Sequence, residues 1–184
     1  CVPVLGLPAM SAEAATLPPP HDRAAAEHGL AQWAEETGAP AEPAHLPVLA
    51  AIFGNSPYLS GLALREPATL ARLIDEGPDA AFGAAMDLAA PPGPGVGRAQ
   101  LGERLRTAKR QAALAIAVAD ITGRWPLERV TGALSAFADA ALQAAVTQLL
   151  REAHARGEMR LRSPDDPARG SGLIVLGMGK LGAS

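Results

Sequence analysis

Ser171-Gly-Leu-Ile-Val-Leu-Gly-Met-Gly-Lys-Leu-Gly-Ala-Ser184 is the stretch from which the rest of the sequence is read. Its apolar run, Leu173, Ile174, Val175 and Leu176, is aliphatic at every position and bounded by glycine, which predicts a short buried β-strand. Gly177, Gly179 and Gly182 follow, with Met178, Lys180 and Leu181 between them. A strand that runs into a glycine-rich turn and then a helix start presents unpaired backbone N–H groups and the positive end of a helix dipole. That combination suits a phosphate and points to nucleotide chemistry. The candidate phosphate-binding residues are Gly177, Gly179, Lys180 and Gly182.

Upstream of the strand the sequence reads as helical. Gly157 and the polar segment 162–170 end a long helix that Pro126 can open and that reaches about residue 155. In it Val130, Leu134, Phe137, Ala141, Ala145 and Leu149 recur at three and four. Before it, residues 99–122 predict another long helix. Leu101 and Leu105 begin its apolar stripe, and from Ala112 to Ala119 it is apolar all round, so that half is expected to be buried on every side. The tight connection through Gly123, Arg124 and Trp125 predicts antiparallel packing of the pair.

Pro91-Pro-Gly-Pro-Gly95 reads as a linker between this pair and a set of smaller helices. Residues 22–36, with Leu30 and Trp33, predict a helix closed by Gly38. Residues 46–53 predict a second, stopped by Gly54. Ser56 as N-cap and Pro57 at the first helical position open a third, which Pro67 breaks. Residues 68–75, with Leu70, Leu73 and Ile74, predict a fourth, stopped by Gly77-Pro78. Helices shorter than about 12 to 15 residues are marginal alone and need neighbours. Residues 1–21, rich in proline and alanine, predict a disordered lead. The expected divisions are 1–21 lead, 22–90 small helices, 96–160 long helix pair and 171–184 the start of a further unit.

Composition narrows the function. Hydrophobic residues make up 48% of the chain but aromatics only 3%, so alanine dominates and a thin helical core is expected. A net charge of −3 gives no basic field for counterion release, which sets nucleic acid aside. The single cysteine, Cys1, allows no internal disulfide and suits a reducing compartment. No uninterrupted apolar run approaches the roughly 20 residues of a membrane span, and no signal-peptide pattern opens the chain, so a cytoplasmic protein is expected. A start at Cys1 and an end inside a glycine loop lead us to expect an excerpt of a longer protein.

Other residues that carry chemistry have simpler readings. Asp120 is expected to bond Arg124, Arg110 or a nearby backbone donor. Arg104, Arg106, Lys109 and Arg110 form a basic run that predicts the wet side of a helix. His21, His28, His45 and His154 lack metal-ligand spacing. Asp165 and Asp166 sit in a proline-bounded loop and are expected in solvent, while Trp33 and Trp125 are expected as core anchors. Gly177, Gly179 and Gly182 also satisfy the dinucleotide fingerprint, so an oxidoreductase fragment with a helical leader is the alternative. A P-loop is excluded, because Lys180 is followed by Leu181 where that motif needs Ser or Thr.

Four blocks in order decide between these. Ile52-Phe-Gly-Asn-Ser-Pro-Tyr-Leu59, then Arg106-Thr-Ala-Lys-Arg-Gln-Ala-Ala-Leu114 leading to Ala119-Asp-Ile-Thr-Gly-Arg-Trp125, then Leu134-Ser-Ala-Phe-Ala-Asp-Ala-Ala-Leu142, and finally residues 172–182. Together they resemble the N-terminal, adenylyl-removing half of the bifunctional glutamine synthetase adenylyltransferase/adenylyl-removing enzymes. The resemblance covers residues 50–184, and the first 45 add little. It implies a mainly α fold, short helices plus a long antiparallel pair, ending in the first β-strand of a truncated polymerase-β-type nucleotidyltransferase domain of α+β class. It implies phosphorolytic removal of AMP from an adenylyl-tyrosine of glutamine synthetase with release of ADP, the absent half attaching AMP from ATP. It further implies Mg²⁺ held by an Asp-x-Asp pair beyond Ser184, and a PII-type signal protein as second partner. Ala183 departs from the family, where many relatives have a second glycine. Without the carboxylates, this stretch alone is expected to be inactive. A helical docking module without chemistry is the remaining alternative.

Overall fold

Helix boundaries follow local cap chemistry. In the computed structural model, which describes residues 17–93, 95–163 and 165–177, the Asp22 carboxylate accepts from the Ala25 N–H at 2.9 Å and opens α1 (Arg23–Thr37), and Gly38 at φ 75° closes it. Helix α2 (Leu46–Asn55) ends at Ser56, whose hydroxyl accepts from the Leu59 N–H at 3.2 Å and opens α3 (Pro57–Arg65). Pro67, expected only to break α3, takes the first position of α4 (Pro67–Asp75). Pro78 does the same for α5 (Pro78–Ala89), a helix the sequence reading omitted because Gly77-Pro78 looked like a stop. The long pair follows as α6 (Arg98–Ile121) and α7 (Leu127–Ala155). The described residues are mainly helical, as expected.

The expected lead 1–21 falls mostly outside the described residues. Its last part is tied to the end of α2: the Asn55 side chain donates to the Pro19 carbonyl and accepts from the His21 N–H, and Asp22 N–H donates to the Gly54 carbonyl. Behind this contact lies the main core, where Leu49, Ile52, Leu70, Leu73, Leu114 and Val118 are fully enclosed. Each such side chain contributes about 1.5–3 kcal/mol relative to exposure. Because Leu114, Ala115 and Val118 belong to it, the small helices and α6 share one core. Helices α1 and α2 approach so closely at Gly29 that a Cβ there would lie 2.4 Å from Phe53 Cγ, and only glycine fits.

Ala112 to Ala119 is buried or half-buried throughout, as the all-round apolar pattern predicts. The long helices run antiparallel. Arg98, first residue of α6, ion-pairs with Glu152 near the end of α7, while Gly123 to Pro126 joins their other ends. The proline-glycine linker between α5 and α6 is pinned by side chains. Arg104 donates to the Leu88 carbonyl at 2.7 Å and to the Ala90 carbonyl, Gln148 Nε2 donates to the Val96 carbonyl at 2.9 Å, and Arg151 donates to the carbonyl of buried Pro92.

The basic run on α6 is therefore only partly a wet face. Arg110 Nε lies 2.6 Å from Glu66 Oε1, and Gln111 Nε2 lies 3.1 Å from Glu66 Oε2, so the buried Glu66 carboxylate is satisfied on both oxygens. Asp120 has no such role. Its carboxylate is exposed and unpaired among the described residues, since Arg110 is ten residues away, about 15 Å along the helix, and turned to Glu66. Trp33 and Trp125 are buried, as expected of core anchors.

Helix α7 corrects the predicted stripe. Val130 is buried, but Leu134 and Leu149 are 53% and 49% exposed, and the buried positions are Ala133, Ala144, Thr147, Gln148 and Leu150. Small side chains set how closely two helices approach, so the alanine face of α7 meets α6 and the leucines turn outward. By length and composition α7 could also cross a membrane, a test that a core helix of a soluble protein passes equally.

The clasp at Glu152 gives a pH prediction. A hydrogen bond from Gln148, then one from Arg98, hold its carboxyl below the ordinary glutamate value of 4.5. A carboxylate so lowered contributes stability that is present above the ordinary value and lost as pH falls through the lowered one. Thermal melts are expected to show a smaller acid-induced drop below pH 4.5 in Glu152→Gln than in the parent chain. Equal drops would exclude the clasp as a contributor.

Candidate functional site

The site is assembled where the chain leaves α7 and returns along it. Gly157 at φ 75° ends the helix, with Glu158 N–H donating to the Ala153 carbonyl at 3.0 Å. Arg156 pairs with both Glu152 and Glu158, and that ion pair lowers the Glu158 carboxyl. Leu161 and Pro167 are buried and anchor the returning loop, while Asp165 and Asp166 are exposed, as expected of a solvated loop. Gly170 and Gly172, at φ 70° and 78°, turn the chain into the apolar run, and Leu173 N–H donates to Ser171 Oγ at 3.2 Å.

Residues 173–176 do not form the predicted strand. Among the described residues no strand exists, since a strand is defined by its ladder and none of these residues supplies a partner. Exposure nevertheless alternates, at 55%, 78%, 54% and 81% for Leu173, Ile174, Val175 and Leu176. A period of two is the signature of extended backbone with faces of different environment.

Between this segment and α7 lies a groove of 540 Å³, lined on the helix side by Asp139, Leu142, Gln143 and Val146 and on the other by Leu173, Val175, Leu176 and Gly177. Of the four predicted phosphate-binding residues, Gly177 stands at the end of this groove; Gly179, Lys180 and Gly182 lie outside the described residues. Asp139 and Gln143 were not foreseen as lining residues, because their sequence signal is only two polar positions on an apolar helix. The groove offers the Asp139 carboxylate, the Gln143 amide, the Ser171 hydroxyl and otherwise apolar walls. That suits a polypeptide or an apolar group better than an anion. No three His, Cys, Asp or Glu residues converge among the described residues. The described residues therefore do not suit Mg²⁺.

Against that geometry, the family model for glutamate-ammonia ligase adenylyltransferase matches residues 46–184, from α2 through the glycine turn. The chain belongs to this family. Proteins named bifunctional glutamine synthetase adenylyltransferase/adenylyl-removing enzyme are its curated relatives. One from Rhodopseudomonas palustris (strain HaA2) is 43% identical over 136 residues, covering 73% of this chain and 14% of the relative. Another, from Rhodopseudomonas palustris (strain BisB5), is 39% identical over 186 aligned positions, 95% of this chain and 19% of the relative. A third, from Mesorhizobium japonicum, is 40% identical over 163, covering 87% and 16%. The chain thus spans 14% to 19% of these relatives' length. No solved structure matches it. The family match begins at residue 46, close to where the four sequence blocks place the start of the resemblance.

Proposed function

We propose that the full-length protein containing this chain regulates glutamine synthetase as a nucleotidyltransferase. The half to which these residues belong removes AMP from an adenylyl-tyrosine of glutamine synthetase by phosphorolysis. An oxygen of inorganic phosphate attacks the AMP phosphorus, the bond from phosphorus to the tyrosine oxygen breaks, the tyrosine oxygen takes a proton, and ADP leaves. The other half attaches AMP to the same tyrosine from ATP. Continuity of the family match across residues 46–184, with the glycine turn at its end, carries this reading.

In it, Leu173–Leu176 becomes the first strand of a polymerase-β-type nucleotidyltransferase unit. The N–H groups of Gly177, Gly179 and Gly182 orient phosphate oxygens, and Lys180 supplies a compact positive charge beside them. Two carboxylates beyond Ser184 would hold Mg²⁺, which would supply positive charge to offset that on the phosphoryl oxygens. A PII-type signal protein is the second partner, and the cytoplasm the compartment. The dinucleotide alternative rests on the same glycines, but the family match runs through them and favours nucleotidyl transfer.

The deciding experiment supplies adenylylated glutamine synthetase and inorganic phosphate to the full-length protein. Release of ADP together with loss of the AMP adduct is expected, with both enhanced or suppressed by the PII protein. Absence of ADP in the presence of Mg²⁺ would remove the proposal.

A further inference from the structure

Helix α7 is apolar on two sides, and among the described residues only one of them is packed along its length. Ala133, Ala144 and Thr147 turn inward. Leu127, Leu134, Leu142 and Leu149 are 69%, 53%, 40% and 49% exposed, and their spacing of seven or eight residues stacks them along the other side, about two turns apart. A helix hydrophobic all round belongs in an interior, and contiguous exposed apolar patches mark interaction surfaces. The groove lies along the middle of this outer face, with residues 173–177 as its far wall.

We infer that the outer face of α7 from Leu134 to Leu149 is the seat of a β-sheet begun by Leu173–Leu176. The remaining strands come from polypeptide that the relatives carry and this chain does not span. Three observations converge on that occupant. The chain covers only 14% to 19% of the relatives' length, so most of their polypeptide lies elsewhere. Among the described residues, the backbone of Leu173–Leu176 has one hydrogen bond, Leu173 N–H to Ser171 Oγ, and its four aliphatic side chains are 54% to 81% exposed, an apolar run with free backbone donors and acceptors. The alternating exposure leaves Leu173 and Val175 the more enclosed and Ile174 and Leu176 the more open, as in extended backbone that can become one member of a layer lying on a helix, and Leu173, Val175 and Leu176 all reach the groove. Only the naming of the occupant rests on the proposed function.

The test compares the full-length protein with the 184-residue chain. Leu142→Cys and Leu149→Cys are made in both, with Glu103→Cys on exposed α6 surface as a control, and alkylation at each site is followed by peptide mass spectrometry. Labelling at 142 and 149 is expected to be at least about tenfold slower in the full-length protein and equal in the two proteins at 103, because a site under a sheet reacts only on local opening. Equal rates at all three sites would overturn the inference. So would slow labelling of the 184-residue chain that grows with its concentration, which would make a second copy the occupant. As a second measurement, Leu142→Asp is expected to lower the melting temperature of the full-length protein and leave that of the shorter chain unchanged. Because neither readout uses activity, slow labelling without ADP release would remove the functional proposal and leave the docking face, and the converse would do the opposite.

Discussion

Replacing Trp125 by alanine is expected to destabilise the chain by about 3–5 kcal/mol, the range for truncating a buried aromatic. Trp125 is 4% exposed and sits where α5, α6 and α7 meet. Its ring takes the edge of Phe82 from α5 at 5.6 Å between centroids and 89° between planes, and the Arg129 guanidinium of α7 lies 4.7 Å above it. Its Nε1 donates weakly to Asp79 Oδ2 at 3.4 Å, and Ile116 and Ala119 of α6 pack beside it. One side chain therefore joins three helices through area, edge-to-face stacking and a cation over the ring. Trp125→Phe keeps the ring contacts and loses the indole donor and part of the area, so it is expected to cost less than half as much. Urea unfolding followed by circular dichroism checks the ordering. A loss below about 1 kcal/mol for Trp125→Ala, within the range of surface substitutions, would show that the junction is held elsewhere.

Much of this architecture is written locally. Gly38 and the Ser56-Pro57 pair announce helix ends through local chemistry, and the structure uses both as read, while Asp22, where the reading began the first helix, serves as its N-cap. Where the reading failed, the deciding partner was remote or ambiguous. Pro78 opens α5 by the same chemistry as Pro57, but with Phe82, Met86 and Leu88 as its only bulky apolar residues among alanines the helix gave little periodic signal. The roles of Arg104, Arg110 and Arg151 depend on acceptors 16, 44 and 59 residues away, distances at which charge patterning along one helix is silent.

The α7 error is more instructive, because it concerns the site. Periodicity finds bulky side chains and assigns them inward, which is sound for a helix with one buried face. Here alanines line the contact with α6, while Leu134 and Leu149 of the predicted stripe stand exposed among the described residues and Leu142 lines the groove, so part of the periodic signal marked an outer face. A hydrophobic pattern reports burial in the complete protein, and a chain that spans a fraction of its relatives need not contain both sides of every interface. At Leu173–Leu176, β-propensity can be read from four aliphatic residues, whereas a hydrogen-bonded neighbour cannot.

In the full-length protein, Lys180→Ala is expected to slow phosphorolysis of adenylylated glutamine synthetase by about 10²-fold or more, the scale for removing one preorganised group that meets developing charge. The argument is electrostatic. Phosphoryl transfer spreads negative charge over the non-bridging oxygens, and under the proposed function a cation at position 180 would be in place beside backbone N–H groups when that charge appears. Arg106→Ala, which removes an exposed cation of α6, is expected to leave the rate within about twofold, so a general loss of surface charge can be told apart. Gly179→Val should resemble Lys180→Ala in rate while acting differently, since a branched side chain keeps backbone from closing on a phosphate. The two variants then separate under rising phosphate. A lost charge that weakens ground-state binding is partly rescued by saturating phosphate, whereas a lost transition-state contact is not, and the split between KM and kcat reports which one Lys180 makes. If Lys180→Ala and Gly179→Val both leave the rate unchanged while abolishing binding of a nicotinamide dinucleotide, the glycines serve the dinucleotide fingerprint instead, and phosphate chemistry at this turn would have to be reassigned.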